Sequence, residues 1–342
     1  MTNVLEPWVL LRLIAGLVAS ALFVRAAIPS VRLLRRFDLR DQSEGQLALE
    51  KQLELSATFS RVGAVVQALT LLLTVLSADR LSRGVRGAMC AYGVFAAHDW
   101  GMRSLFVTGS VALIAALLTQ LFAFDARMKT LDLAPPLAMA ACIMAPLSIA
   151  DLAVAAKFLL GLDLTVVASC CSVELDAATA SEQAHASGPR VLVAGLALAL
   201  ALAAIGLAMM AAQRPTRGRL VLAGAVSALA FPPALLASAL EVAPHAFEVP
   251  THVCPFCLLK ADVFALGYPL FGVLLVAIAS VGGVALSALL SRSASSRDVL
   301  VRFAPRRLRR GALAWALALA VGALPVIRYA IVTGGASLFA GP

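Results

Sequence analysis

The chain of 342 residues is 61% hydrophobic and only 14% charged, with a mean hydropathy of +0.92. A soluble domain of that length could not bury so much apolar surface, and apolar runs of about 20 residues recur, each able as a helix to cross roughly 30 Å of hydrocarbon. The formal net charge of +9 is dominated by arginine, since only Lys51, Lys129, Lys157 and Lys260 are lysines. Most of the arginines lie in short loops, which is topology signalling rather than a nucleic-acid footprint.

The fold class is therefore all-α: a polytopic helical membrane protein of about eight transmembrane helices, forming one integral domain over 1–342. In chain order the predicted spans are Val9–Ile28, Val62–Ala78, Leu105–Phe124, Leu137–Lys157, Val191–Ala211, Leu220–Leu240, Tyr268–Leu290 and Ala312–Ile331. The first has Glu6 and no basic segment ahead of it, so it reads as a retained helix rather than a cleaved signal. The second is the shortest, and the charged stretch before it, 29–61, reads as a cytoplasmic amphipathic segment on the membrane surface. Pro232-Pro233 in the sixth implies a kink, which often accompanies a cavity.

Lys and Arg counted over alternate loops give eighteen on one side and six on the other. The positive-inside rule then puts 29–61, 125–135, 212–219 and 291–311 in the cytoplasm and both termini outside. Arg80, Arg83, Arg86 and Arg103 run against that pattern within one outer loop. Arginine over lysine with abundant alanine suits a bacterial inner membrane protein.

This orientation gives the six cysteines their interest. Cys142 falls inside a span, whereas Cys90, Cys170, Cys171, Cys254 and Cys257 fall in outer segments, the last four in the loops 163–190 and 241–267. Thiols on an oxidising face tend to pair, cycle or bind metal. In His252-Val-Cys-Pro-Phe-Cys257, Pro255 suits a first helical position, which makes Cys254 the N-cap and Cys257 the third helical residue. A sulfur there meets unpaired N–H donors, which favours thiolate. One cysteine could attack and the other resolve, or the two could form a static disulfide. Cys170-Cys171 cannot bond to each other without strain, so the two serve different partners, bind one soft metal, or hold other loops. Cys90, in Gly87-Ala-Met89-Cys90, makes the outer count odd, leaving at least one thiol free, metal-bound or transiently paired.

His98, His185, His245 and His252 are all loop residues; none is mid-span, which argues against a haem held between helices. His252 is singled out as an activator of Cys254 or a nitrogen ligand beside two sulfurs. Among charges within spans, Arg12, Lys157 and Arg328 are close enough to the membrane edge to snorkel. Asp151 must instead be protonated, paired or turned into a cavity, with Lys157 or Arg328 as candidate partners.

Gly87-Ala-Met-Cys90, Cys170-Cys171 and His252–Cys257 together make the chain resemble an uncharacterised group of bacterial multi-pass membrane proteins carrying G-A-M-C, a vicinal C-C and a final H-x-C-P-F-C. That resemblance implies three thiol sites acting as a unit and no particular activity. In mechanism the chain also resembles the periplasmic disulfide-forming quinone reductases and the vitamin K epoxide reductase family, which set a membrane-edge C-x-x-C against a second cysteine pair. Those are bundles of four or five helices with a spaced second pair, so only the logic carries over. The C-C is similar to that of bacterial mercuric-ion transport proteins, where it lies within a span.

The leading expectation is thiol–disulfide exchange at the outer face. Cys254 is its nucleophile and Cys257 resolves, while Cys170 and Cys171 relay to or from a thioredoxin-like partner and a quinone near Asp151 and Pro232 could be the terminal acceptor. The alternatives are soft-metal handling of Cu(I) type by Cys90, Cys170, Cys171, His252, Cys254 and Cys257, or a scaffold with structural disulfides.

Overall fold

The structure is a computed structural model that describes residues 6–36, 44–128, 132–167, 187–291 and 293–339. Ten α-helices follow in order among these residues: α1 Pro7–Arg36, α2 Glu44–Leu81, α3 Ala91–Ala96, α4 Gly101–Asp125, α5 Ala134–Gly161, α6 Ser187–Gln213, α7 Arg217–Ala237, α8 Ala243–Phe247, α9 Gly267–Leu290 and α10 Ala294–Val332. A π-helical turn, Ser238–Val242, joins α7 to α8, and two 3-10 turns, Pro255–Leu259 and Ala261–Val263, precede α9. The only extended pairing among the described residues is an isolated bridge between Arg86 and Val167.

Each of the eight predicted spans is a helix long and apolar enough to cross a membrane. The protein is an all-α polytopic helical membrane protein. Two helices run well past their apolar cores. In α2 the Leu-, Glu- and Gln-rich stretch before the span consists of strong helix formers, so the helix continues through it. The described part of 29–61 accordingly lies in the end of α1 and the start of α2. In α10 the arginine-rich residues 302–310 are helical too; its 39 residues extend about 58 Å, nearly twice the hydrocarbon thickness. α7 continues through the π turn, where the Ala243 N–H bonds to the Ser238 carbonyl five residues back. The helical run ends at Glu248, held left-handed at φ 57, with the Val249 N–H returning to the Pro244 carbonyl.

The chain divides into two compact units. The first comprises Met1–Ser77, His98–Asp163 and Leu286–Phe303. Within it α1 packs along α5, and α5 along α4. Phe23, Phe122, Phe124, Phe158 and Met144 are fully covered, and Phe124 meets Phe303 at 5.4 Å between ring centroids. A polar knot interrupts this apolar packing. Arg12 of α1 donates from one nitrogen to both carboxylate oxygens of Asp151 on α5, at 2.8 Å each. Gln67 of α2 donates to the same carboxylate at 2.8 Å, and the Thr108 hydroxyl of α4 donates to it as well. Arg12 Nε also reaches Thr74 of α2. Arg12 and Asp151 are both completely buried.

Two expectations about charges are thereby corrected. Arg12 does not snorkel, and the partner of Asp151 is Arg12 rather than Lys157 or Arg328. A carboxylate in this position needs a cationic donor and further hydrogen bonds more than the cation needs water, and Arg12 is the one that the packing of α1 on α5 delivers. Lys157 instead lies 3.9 Å from the Trp100 ring, and Arg328 pairs with Glu248 at 3.5 Å.

The second unit comprises Ala78–Ala97, Leu164–Ala285 and Ala304–Pro342. Alanines on α6 and α7, among them Ala201, Ala204 and Ala230, let these two helices pack closely around Leu270, Leu274 and Trp315. The Trp315 indole N–H, which would be costly to bury bare, donates to Ser227 at 2.9 Å.

Candidate thiol and metal centre

Cys90, Cys254 and Cys257 come together in the second unit, from two segments 164 residues apart. Cys90 caps the six-residue α3 in extended conformation, φ −153 and ψ −179. Two glycines put it there. Gly87 turns the chain at φ 79, and Gly93 lies so close to Ala88 that a Cβ on it would stand 2.9 Å from the Ala88 Cα. The G-A-M-C-A-Y-G segment is thus a tight hook that presents one sulfur.

Cys254 is also an N-cap with extended backbone, followed by Pro255 at the first helical position as expected. What it caps differs from the expectation. Pro255–Leu259 is a single 3-10 stretch that stops at the extended Lys260, and α9 begins only at Gly267. So short a piece provides no helix dipole to favour thiolate. The Cys257 N–H bonds back to the Cys254 carbonyl at 3.2 Å, which turns both sulfurs to one side.

The three sulfurs lie within 4.8 Å of one another, and Cys90 Sγ stands 3.7 Å from Cys254 Sγ. They are almost shut off from solvent, at 0%, 2% and 5% exposure for Cys90, Cys254 and Cys257. The wall is aromatic: Tyr92, Phe247 and Phe256 pack against the sulfurs, with Phe256 against Phe95 at 5.8 Å. No disulfide is present among the described cysteines.

Crowding three thiols in an apolar box makes them hold their protons. Cys90 is pushed up to about 12, first by its hydrogen bond with Cys254 and further by burial, although Cys257 pulls the other way. Cys257 is pushed up as well, first through Cys254, then through Cys90 and burial. For Cys257 this reverses the expectation that a place at a helix start favours its thiolate. A proton stays on each because it bridges to a neighbouring sulfur while the site lacks water to receive a second charge.

His252 sits at the edge of this box. Its ring stacks on Phe247 at 4.2 Å, and its Nε2 is buried with no hydrogen-bond partner. Burial lowers its pKa, opposed by the nearby Cys254 sulfur, so the ring is neutral near pH 7. It does not share the 4.8 Å shell of the three sulfurs.

The remaining candidates lie elsewhere. Cys170, Cys171 and His185 fall outside the described residues. Cys142 is within α5, in the other unit. The His245 Nδ1–H donates to the Glu241 carbonyl oxygen, 2.7 Å away, and the His98 ring packs near Phe158. Asp151, considered for a quinone, is enclosed by Arg12, Gln67 and Thr108, which occupy both its oxygens. The residue least weighted by sequence, Cys90, proves central. Its signal was the odd count of outer thiols, which called for at least one that is free, metal-bound or transiently paired but did not say which.

Compared with known proteins, the chain matches no family model, no curated protein and no solved structure.

Proposed function

We propose that this membrane protein binds a soft metal ion, of the Cu(I) class, through Cys90, Cys254 and Cys257. The observation that carries this reading is the convergence of three buried sulfurs within 4.8 Å of one another. Sulfurs about 2.3 Å from a common ion in a trigonal plane stand about 4 Å apart, close to the 3.7 Å separation of Cys90 and Cys254. All-sulfur donors select Cu(I) over harder ions, and an apolar wall spares the ion competition from water. Burial also weighs against exchange with a protein thiol, because a soluble partner must reach a sulfur in line with its own disulfide.

Thiol–disulfide chemistry has one observation in its favour, the 3.7 Å approach of Cys90 to Cys254. In that reading Cys254 attacks, Cys90 or Cys257 resolves, and a thioredoxin-like protein or a quinone takes the electrons.

One experiment separates the two readings. Purified, reduced protein is titrated with Cu(I) against a competing chelator, alongside Cys90→Ser, Cys254→Ser and Cys257→Ser. Metal binding gives one ion per chain, and each substitution weakens it by about 10-fold or more. Exchange gives no stoichiometric copper and a mixed disulfide trapped on Cys254 once Cys90 and Cys257 are both replaced by serine, which would overturn the proposal.

A further inference from the structure

The outward face of α10 carries three arginines and then an apolar stripe, an order that has the form of a phospholipid. We propose that this face binds one anionic phospholipid, its phosphate held by Arg306, Arg309 and Arg310 and an acyl chain laid along Leu313, Leu317 and Leu324.

The helix itself defines the face. Ala304, Leu308, Ala312 and Trp315 are buried against the protein. Residues on the other side of each turn look away from it. Arg306, Arg309 and Arg310 are exposed there, and Leu313, Leu317, Leu324, Ile327 and Ile331 continue the same side at 45–75% exposure. From Leu313 to Ile331 the helix rises about 27 Å, close to the hydrocarbon thickness, which leaves the arginines at the level of the headgroups. Leu313 to Leu324 covers about 17 Å, the depth of one leaflet, and the exposed Ala316 and Ala320 between them keep that stretch shallow.

The charges need a partner that the protein does not provide. Among the described residues none of the three arginines forms an ion pair, and the nearest acid on α10, Asp298, stands more than two turns back. Three and four residues apart on a helix, their side chains are neighbours, and like charges at that spacing repel. A topology signal needs only positive charge somewhere in the segment; it does not need unpaired arginines gathered on one face at the head of an apolar stripe. A phosphodiester between them relieves the repulsion and takes paired hydrogen bonds from the planar guanidinium forks. A net negative headgroup suits the site better than a zwitterionic one, whose ammonium would restore the positive charge beside the arginines.

The test uses the full-length protein, stripped of lipid in a neutral detergent, with bound lipid counted by native mass spectrometry as its concentration rises. Dioleoyl phosphatidylglycerol should bind at one molecule per chain, at least about tenfold more tightly than dioleoyl phosphatidylcholine. Glycerol phosphate, the same headgroup chemistry without chains, should not compete with it at equal concentration. Arg306→Gln, Arg309→Gln and Arg310→Gln combined should weaken binding by at least about tenfold, whereas Arg214→Gln, Arg217→Gln and Arg219→Gln combined, an equal loss of charge at the start of α7, should change it by less than about threefold. Replacing Arg306, Arg309 and Arg310 by lysine keeps every charge, and with it the topology, yet should still cost about threefold or more because the forks are gone. Equal losses in the two glutamine triples would reduce the effect to diffuse charge attraction and overturn the site. Equal binding of the two lipids, undiminished binding in the lysine triple, or effective competition by glycerol phosphate would each do the same.

Discussion

At the scale of single residues, the three thiols show how neighbours override intrinsic chemistry. An isolated cysteine loses its proton near pH 8.5, yet Cys90 keeps its own to about 12 because Cys254 and an apolar wall surround it. The sign of the consequence follows from proton counting. Between about pH 8.5 and 12 the unfolded chain has released a proton that the folded chain still holds, so stability falls as pH rises through that window and is fully present below it. Thermal unfolding in detergent between pH 7 and 11 should show this alkaline loss, smaller in Cys90→Ala than in the unmodified protein. An identical pH dependence in both would contradict it. The C-x-x-C was visible in the sequence, but its third sulfur was not, because the hook formed by Gly87 and Gly93 is a matter of backbone approach.

At the scale of elements, the knot of Arg12 with Asp151 joins α1 to α5, and Gln67 and Thr108 add α2 and α4. Removing one charge strands the other. Arg12→Met should therefore destabilise the protein by about 3–5 kcal/mol, whereas Arg12→Met with Asp151→Leu should recover much of that loss. Denaturation in mixed micelles measures both, and a double variant as unstable as Arg12→Met would show that the stranded Asp151 charge is not the source of the loss. The helices were legible from their apolar runs because a span must satisfy its backbone internally. Their true lengths were not, since α2 and α10 continue into polar sequence of high helix propensity.

At the scale of the whole molecule, α9 offers a direct reading of orientation. Its 24 residues rise about 36 Å, enough to cross the hydrocarbon, so the residues flanking it lie on opposite sides of the membrane. Phe264 is 88% exposed just before it, and Ser295 is exposed just after. With the basic loops inside, Phe264→Cys should react with a membrane-impermeant maleimide in intact cells and Ser295→Cys only after lysis. The reverse pattern would put the thiol centre on the cytoplasmic face. The native sulfurs serve poorly for this purpose, since Cys90, Cys254 and Cys257 are shielded by their own packing.

Sequence by itself determined that this is a helical membrane protein with eight crossing segments, because hydrophobic length and loop charge act locally and sum along the chain. It also singled out Cys254, Cys257 and His252 as candidates, through their spacing. Only tertiary structure decided which groups meet: Cys90 with the C-x-x-C across 164 residues, and Arg12 with Asp151 across 139. Long-range pairings of this kind depend on which helix faces pack together. In a chain whose helices are apolar nearly all round, the hydrophobic pattern leaves that choice to a few polar and small residues.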